Sequence, residues 1–183
     1  IAAPEVFIAA AARETRHIRL GTGVRSLPYT HPFMLADSMV QLDHMTRGRA
    51  MFGVGPGALP SDAAQMGIDA RQSRRMMEEA IDVIIPLLEG KRVSAETDWF
   101  TLNDAKLQHA SFTRPRMEMA VTSVRSPAGA LLAGRYGLGL LSLGGQSDEA
   151  LAAYAKNWAL YEETAAANGQ IADRGKFRIA AQM

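Results

Sequence analysis

Hydrophobic positions along this chain change their period several times, and each change marks an element. In Ile18, Leu20, Thr22 and Val24 the apolar or branched residues fall at every second position until Pro28 stops the run, which predicts a strand over 18–24. Phe33, Met34, Met39, Leu42 and Met45 then recur at mostly helical spacing, and Gly48 marks the end of that helix. Ala50 to Val54 is a short apolar run bounded by Gly48 and by Gly55-Pro56-Gly57, the pattern of a strand covered on both faces in a parallel sheet. Strand, helix and strand make a βαβ unit whose second strand opens into a glycine-rich turn. Ligands bind at such strand exits.

The same alternation continues. Met76, Ala80, Val83, Ile84 and Leu87 share one face of a helix predicted over 71–88, which Pro86 should bend or end early. Residues 90–114 break the rhythm with mixed polarity around Trp99-Phe100, and Pro115 closes them, so an excursion such as a hairpin is expected there. Met117 to Thr122 reads as a third strand, and Ser126-Pro127 supplies an N-cap and a first-turn proline for a helix to Tyr136. Leu138 to Leu143 is a fourth strand ending at Gly144-Gly145. Ser147 caps a long helix with Leu151, Tyr154, Trp158 and Tyr161 inward, and 177–181 begins a fifth strand. Pro4-Glu5 reads as a helix start. The βαβαβαβαβ order admits either a closed (β/α) barrel or an open doubly wound sheet.

Composition narrows the partners. The 183 residues are 48% hydrophobic, enough for a sizeable core, and show no linker or second domain. Twenty basic and 19 acidic residues are scattered to a net +1, without the basic stripe that binding to nucleic acid requires. The absence of cysteine excludes disulfides and thiolate metal sites and fits a reducing compartment. No apolar run approaches the roughly 18 residues of a membrane span, and the N-terminal apolar stretch lacks the features of a signal peptide. A soluble, cytoplasmic protein is expected. Because the chain opens at Ile1 and enters a helix with no preceding strand, it reads as part of a longer protein.

LGTGVRSLPYTHP with Asp37 in the following helix, then LDHMTRGR and FGVGPG, SRRMMEEAIDVI, and VTSVRSPAGALLAGRYGLGLLSLG together resemble the bacterial luciferase-like flavin-dependent oxidoreductases. The likeness runs from about Pro4 nearly to the end and is nearest to monooxygenases of terpenes, ketones and similar apolar compounds. It implies a (β/α)8 TIM barrel, of which 1–183 would be a single partial domain holding about strands 3 to 7, with the 90–114 excursion. Two N-terminal units and the last unit would lie outside, and with them the catalytic histidine common in the family.

The resemblance also implies a cofactor site for FMN. Val124, Arg125, Ser126 and Gly129 match the family's phosphate turn, where a helix N-terminus offers N–H donors, and Arg74 would reach across as a cation. The bland alternative is a simple cap at Ser126 and a solvated face at Arg74 and Arg75. Gly21, Thr22 and Gly23 would let an isoalloxazine ring approach the backbone, and Gly23-Val24 matches a non-prolyl cis peptide frequent in the family; a plain bulge is the alternative. Gly55, Pro56 and Gly57 would border the flavin, or form only a tight turn. Pro56 stands where some relatives carry an arginine, which leaves more weight on Arg74. His31, in the loop after Pro28, is a catalytic candidate beside the reading of a structural loop histidine. His17, His44 and His109 show no metal-ligand spacing, so no metal is expected. Met34, Met39, Met45, Met76 and Met77 read as packing, and Asp37 as a buried hydrogen-bonding or interface acid.

The implied activity is oxygenation of a small apolar substrate with reduced FMN from a separate reductase and oxygen, in a homodimer. Two other readings remain: a deazaflavin-dependent hydride-transfer enzyme, and a non-catalytic flavin-binding partner subunit.

Overall fold

A computed structural model describes residues 3–124, 126–142, 145 and 147–180. The chain resolves into two compact units, Ile1–Met117 and Glu118–Met183.

In the first unit, α1 (Pro4–Glu14) starts at a proline, whose missing N–H costs nothing in a first turn. It packs on α2 (Pro32–Thr46). Strands β1 (Leu20–Gly21) and β2 (Arg25–Ser26) both run parallel to β3 (Ala50–Gly55). The strand expected over 18–24 is therefore broken. Gly21 pairs with Met51 and Arg25 with Val54, so this side carries one residue more than its partner between the two pairings. A bulge takes up the difference, and the Gly23–Val24 peptide inside it is cis.

After β3 come α3 (Pro60–Gln65), a 3-10 turn at Ala70–Gln72 and α4 (Ser73–Leu88). Helix α4 buries Met76, Ala80, Val83, Ile84 and Leu87 as its pattern predicts, and it continues past Pro86 to Leu88. The excursion is an antiparallel hairpin of β4 (Val93–Glu96) and β5 (Thr101–Ala105). Met39, Met76 and Met77 are buried, whereas Met34 and Met45 are 59% and 50% exposed on this chain. Asp37, half-buried, makes no hydrogen bond among the described residues. The buried acid of α2 is instead Asp43, which accepts from Thr113 N–H at 2.8 Å and Thr113 Oγ1 at 2.9 Å.

The second unit stacks three parallel strands, β6 (Glu118–Thr122), β7 (Gly139–Ser142) and β8 (Phe177–Ile179), in that order. They are joined by α5 (Ala128–Tyr136) and α6 (Asp148–Ala167). Ser147 Oγ caps α6 by accepting from Ala150 N–H. Leu143 and Gly144, expected at the end of β7, lie outside the described residues. Tyr154, Trp158 and Tyr161 are buried, but Leu151 is 53% exposed. The inward stripe of α6 runs through Ala150, Tyr154, Trp158 and Tyr161, and Leu151 stands about 100° off it. Trp158 stacks on Phe177 at 5.7 Å between ring centroids, with the Arg174 guanidinium 5.1 Å from its ring.

Arg49 ties the first unit together at the foot of its strands. Its guanidinium donates to the carbonyls of Ala12, Thr15, Ile18 and Thr46 and to Thr15 Oγ1, all at 2.9–3.1 Å. A fork of fixed donors thereby closes the C-terminus of α1, the start of β1 and the end of α2. We expect Arg49→Ala to destabilise the fold by about 2–3 kcal/mol, read as a lowered urea midpoint, because it strands several carbonyls at once. Arg49→Lys should recover less than half of that, since an ammonium cannot reproduce the fork.

Candidate functional site

The exits of β1, β2 and β3 are built from small residues with different physical reasons. Thr22 is 3% exposed, and its Oγ1 donates to Gly53 C=O at 2.7 Å, tying the bulge to the middle of β3. A Cβ on Gly21 would stand 3.1 Å from Met51 Cβ, so that glycine serves strand packing. At Gly23 a Cβ would meet nothing within 4 Å. Gly23 therefore presents bare backbone to open space, with Val24 half-buried beside it. Gly55 is buried and pairs with Ser26. Gly57, at φ +90°, lies under the Tyr29 ring, where a Cβ would overlap the phenol oxygen.

Tyr29 escapes a reading of the sequence; its only signal is its place between Pro28 and Thr30 at a strand exit. It ends the 3-10 turn Leu27–Tyr29, against which α4 packs. Burial, and then the Asp62 carboxylate, push its phenol above the usual range, so it stays protonated through neutral pH and can donate. His31 has a structural task through one of its ring nitrogens. As the N-cap of α2 its Nδ1 accepts from Phe33 N–H at 3.3 Å, and its ring meets Phe100 edge-on at 6.1 Å.

Neighbouring arginines on α4 have opposite fates. Arg75 donates to Glu79 at 2.7 Å, to both Asp98 oxygens at 2.8 and 2.9 Å, and to Gln72. These bonds, Asp98 foremost, raise its pKa and lower that of Asp98. Arg74, exposed in the first turn of the helix, makes no ion pair or hydrogen bond among the described residues. It is the member of the pair left available to an anion.

In the second unit the exit of β6 turns directly into α5. Ser126 Oγ accepts from Ala128 N–H at 3.3 Å, and the helix starts at Ala128 with Pro127 as its cap residue, one position later than the sequence suggests. Gly129 is buried; a Cβ there would overlap Thr122 C=O, so only glycine lets the first turn of α5 sit this close to the strand end. Val124 C=O accepts from Asn157 Nδ2 at 3.2 Å and Ser123 C=O from Ser142 Oγ at 2.5 Å. The structure thus gathers Val124, Ser126 and Gly129 into one turn at a helix N-terminus, the arrangement that favours an anion. Arg125 lies outside the described residues. Among the described residues no group of three or more His, Asp or Glu side chains is placed to hold a metal ion, and no helix is long and apolar enough to cross a membrane.

Parallel βα units with a small-residue exit in one and a helix-capped turn in another are the parts of a ligand-binding (β/α) barrel. The chain belongs to the luciferase-like monooxygenase family, whose model matches residues 2–183. It is 50% identical over 183 residues to the limonene 1,2-monooxygenase of Rhodococcus erythropolis, covering 100% of this chain and 47% of that protein. It is 48% identical over 186 residues to the 4-hydroxyprotoasukamycin monooxygenase of Streptomyces nodosus subsp. asukaensis, covering 98% and 49%. The chain thus spans about half the length of these curated relatives. The oxygenating constituent of 3,6-diketocamphane monooxygenase from Pseudomonas putida, a type II Baeyer-Villiger monooxygenase solved with FMN, superposes with a TM-score of 0.80 at 26% identity, over 97% of this chain and 51% of that one. The fold is that of the luciferase-like TIM barrel, in the portion this chain covers. The family includes FMN proteins and proteins named for coenzyme F420.

The two key glycines should separate on substitution. Gly129→Ala should lower stability by about 1–3 kcal/mol, because its methyl meets a backbone carbonyl that cannot swing aside. Gly23→Ala, with nothing to strike, should change the urea midpoint by no more than about 0.5 kcal/mol equivalent.

Proposed function

We propose that the protein is a flavin-dependent monooxygenase that uses reduced FMN and oxygen to oxygenate a small apolar organic substrate. The observation that carries this reading is the β6–α5 turn, where Gly129 allows a helix N-terminus to close on the strand end beside the Ser126 hydroxyl. A dianionic phosphate matches that N-terminus and hydroxyl. Val124, Arg125, Ser126 and Gly129 hold the phosphate, and Arg74 supplies a charge-assisted donor. The bare backbone at Gly23–Val24, with Gly55, receives the isoalloxazine ring. Bound reduced FMN supplies the two electrons and the site at which oxygen is activated.

The protein's own part is to bind, orient and exclude water. Leu59 and Met66, 58% and 43% exposed, flank α3 in the segment that follows the Gly55–Gly57 exit and offer apolar surface to an apolar substrate. The 50% identity to an enzyme named for limonene, a small hydrocarbon, supports that substrate class. A separate reductase delivers the reduced flavin, and the protein works in the cytoplasm.

We also propose a homodimer formed through the outer face of α2. Phe33, Asp37, Val40, Gln41 and His44 line a groove there with His109 from the segment after the hairpin. In a two-fold interface this same face of α2, with Asp37 on it, meets its copy.

The primary test adds reduced FMN anaerobically to the protein and then admits ¹⁸O₂ with limonene as the trial substrate. Incorporation of one labelled oxygen atom per product supports the proposal. FMN binding without oxygenation of this or related terpenes and ketones favours the partner-subunit role, and binding of coenzyme F420 in place of FMN favours hydride transfer. Arg74→Ala should raise the FMN Kd about tenfold, equivalent to about 1.4 kcal/mol, while Arg75→Ala leaves it within twofold. Asp37→Arg should move the protein toward monomer in sedimentation, since it puts a long cationic side chain in place of a short acid at the proposed contact.

A further inference from the structure

Asn157 is a costly residue for its position. It is 2% exposed on the inward stripe of α6, between Tyr154 and Trp158, where a carboxamide without a partner would cost about 1–3 kcal/mol. Its Nδ2 is spent on Val124 C=O, outside its own helix. One residue earlier, Ser142 Oγ at the end of β7 holds Ser123 C=O. Two consecutive carbonyls of the same turn are therefore fixed by side chains from two different elements.

A trans peptide is planar, with its C=O and N–H on opposite sides. Fixing the Ser123 carbonyl toward Ser142 turns the Val124 N–H the other way, and Asn157 holds the same residue by its carbonyl. Val124 is thus held through both of its flanking carbonyls, and its N–H faces away from Ser142. Ser123 adds an independent sign of a missing partner: it is 1% exposed, and its Oγ has no hydrogen bond among the described residues. A buried hydroxyl left alone costs about 1–3 kcal/mol, which a ligand oxygen would relieve.

We propose that Asn157 is a positioning residue for the cofactor phosphate, acting through Val124 and seconded by Ser142. This rests on the flavin phosphate binding at the β6–α5 turn.

The test compares FMN with riboflavin, which lacks the phosphate, by flavin fluorescence quenching on the intact protein. The wild type should bind FMN more tightly than riboflavin. Asn157→Ala should reduce that ratio about tenfold and leave the riboflavin Kd within twofold, while Asn157→Gln, which keeps a donor, restores part of it. Ser142→Ala should reduce the ratio in the same sense and serves as the test if Asn157→Ala does not fold. If Asn157→Ala weakens both flavins equally, or neither, Asn157 is only a packing residue and the proposal falls. A wild type that does not distinguish the two flavins would overturn the phosphate assignment itself.

Discussion

A parallel strand that ends in a buried turn leaves carbonyl groups with no neighbouring strand to answer them, and each must find a donor or cost the fold free energy. Here side chains from elsewhere in the chain do this. Ser142 answers Ser123, Asn157 answers Val124 and the Tyr154 hydroxyl answers Gly145 at 2.7 Å, and Thr22 in the same way answers Gly53 within β3. Every one of these donors comes from a different residue stretch than its acceptor. The turns at the strand exits are consequently held from behind, and their open sides are free to meet a ligand without reorganising.

Much of the fold was legible because burial imposes a period. The stripe of α4 and the aromatic stripe of α6 are plain in the sequence, and the excursion declared itself by losing the period. What periodicity lacks is register. The run from Ile18 to Val24 alternates well, yet it is two short strands, because β3 offers one residue fewer along the paired stretch. Nor does an apolar residue say which partner awaits it: Met34, Met45 and Leu151 sit on helices as expected and face outward, for no other element of the described chain covers them.

The site was legible in part, through resemblance rather than through spacing. Gly23 and Gly129 look alike on paper, but one leaves space and the other removes a collision. Arg74 and Arg75 are adjacent and chemically identical; what separates them is Asp98, which the hairpin brings back onto α4. Asn157 and Asp43 read as ordinary polar helix residues because their acceptor and donors lie 33 and 70 residues away. Long-range partners of this kind are invisible to any local pattern.

The hairpin β4–β5 buries Phe100 and Leu102 and is also held to α4 by polar contacts on its exposed side. Trp99 Nε1 donates to Glu79 at 2.7 Å, and Arg75 grips Asp98 on the same helix face. Its two strands pair with each other and with no strand of the parallel sheet. An insertion fastened this way is a replaceable part: its length and tip can drift over evolutionary time while the helix beneath keeps its inner face. Only the choice of which arginine is neutralised passes from the ornament to the working surface, so diversity in that appendage could retune the charge offered to an anionic ligand without a single change at the strand exits.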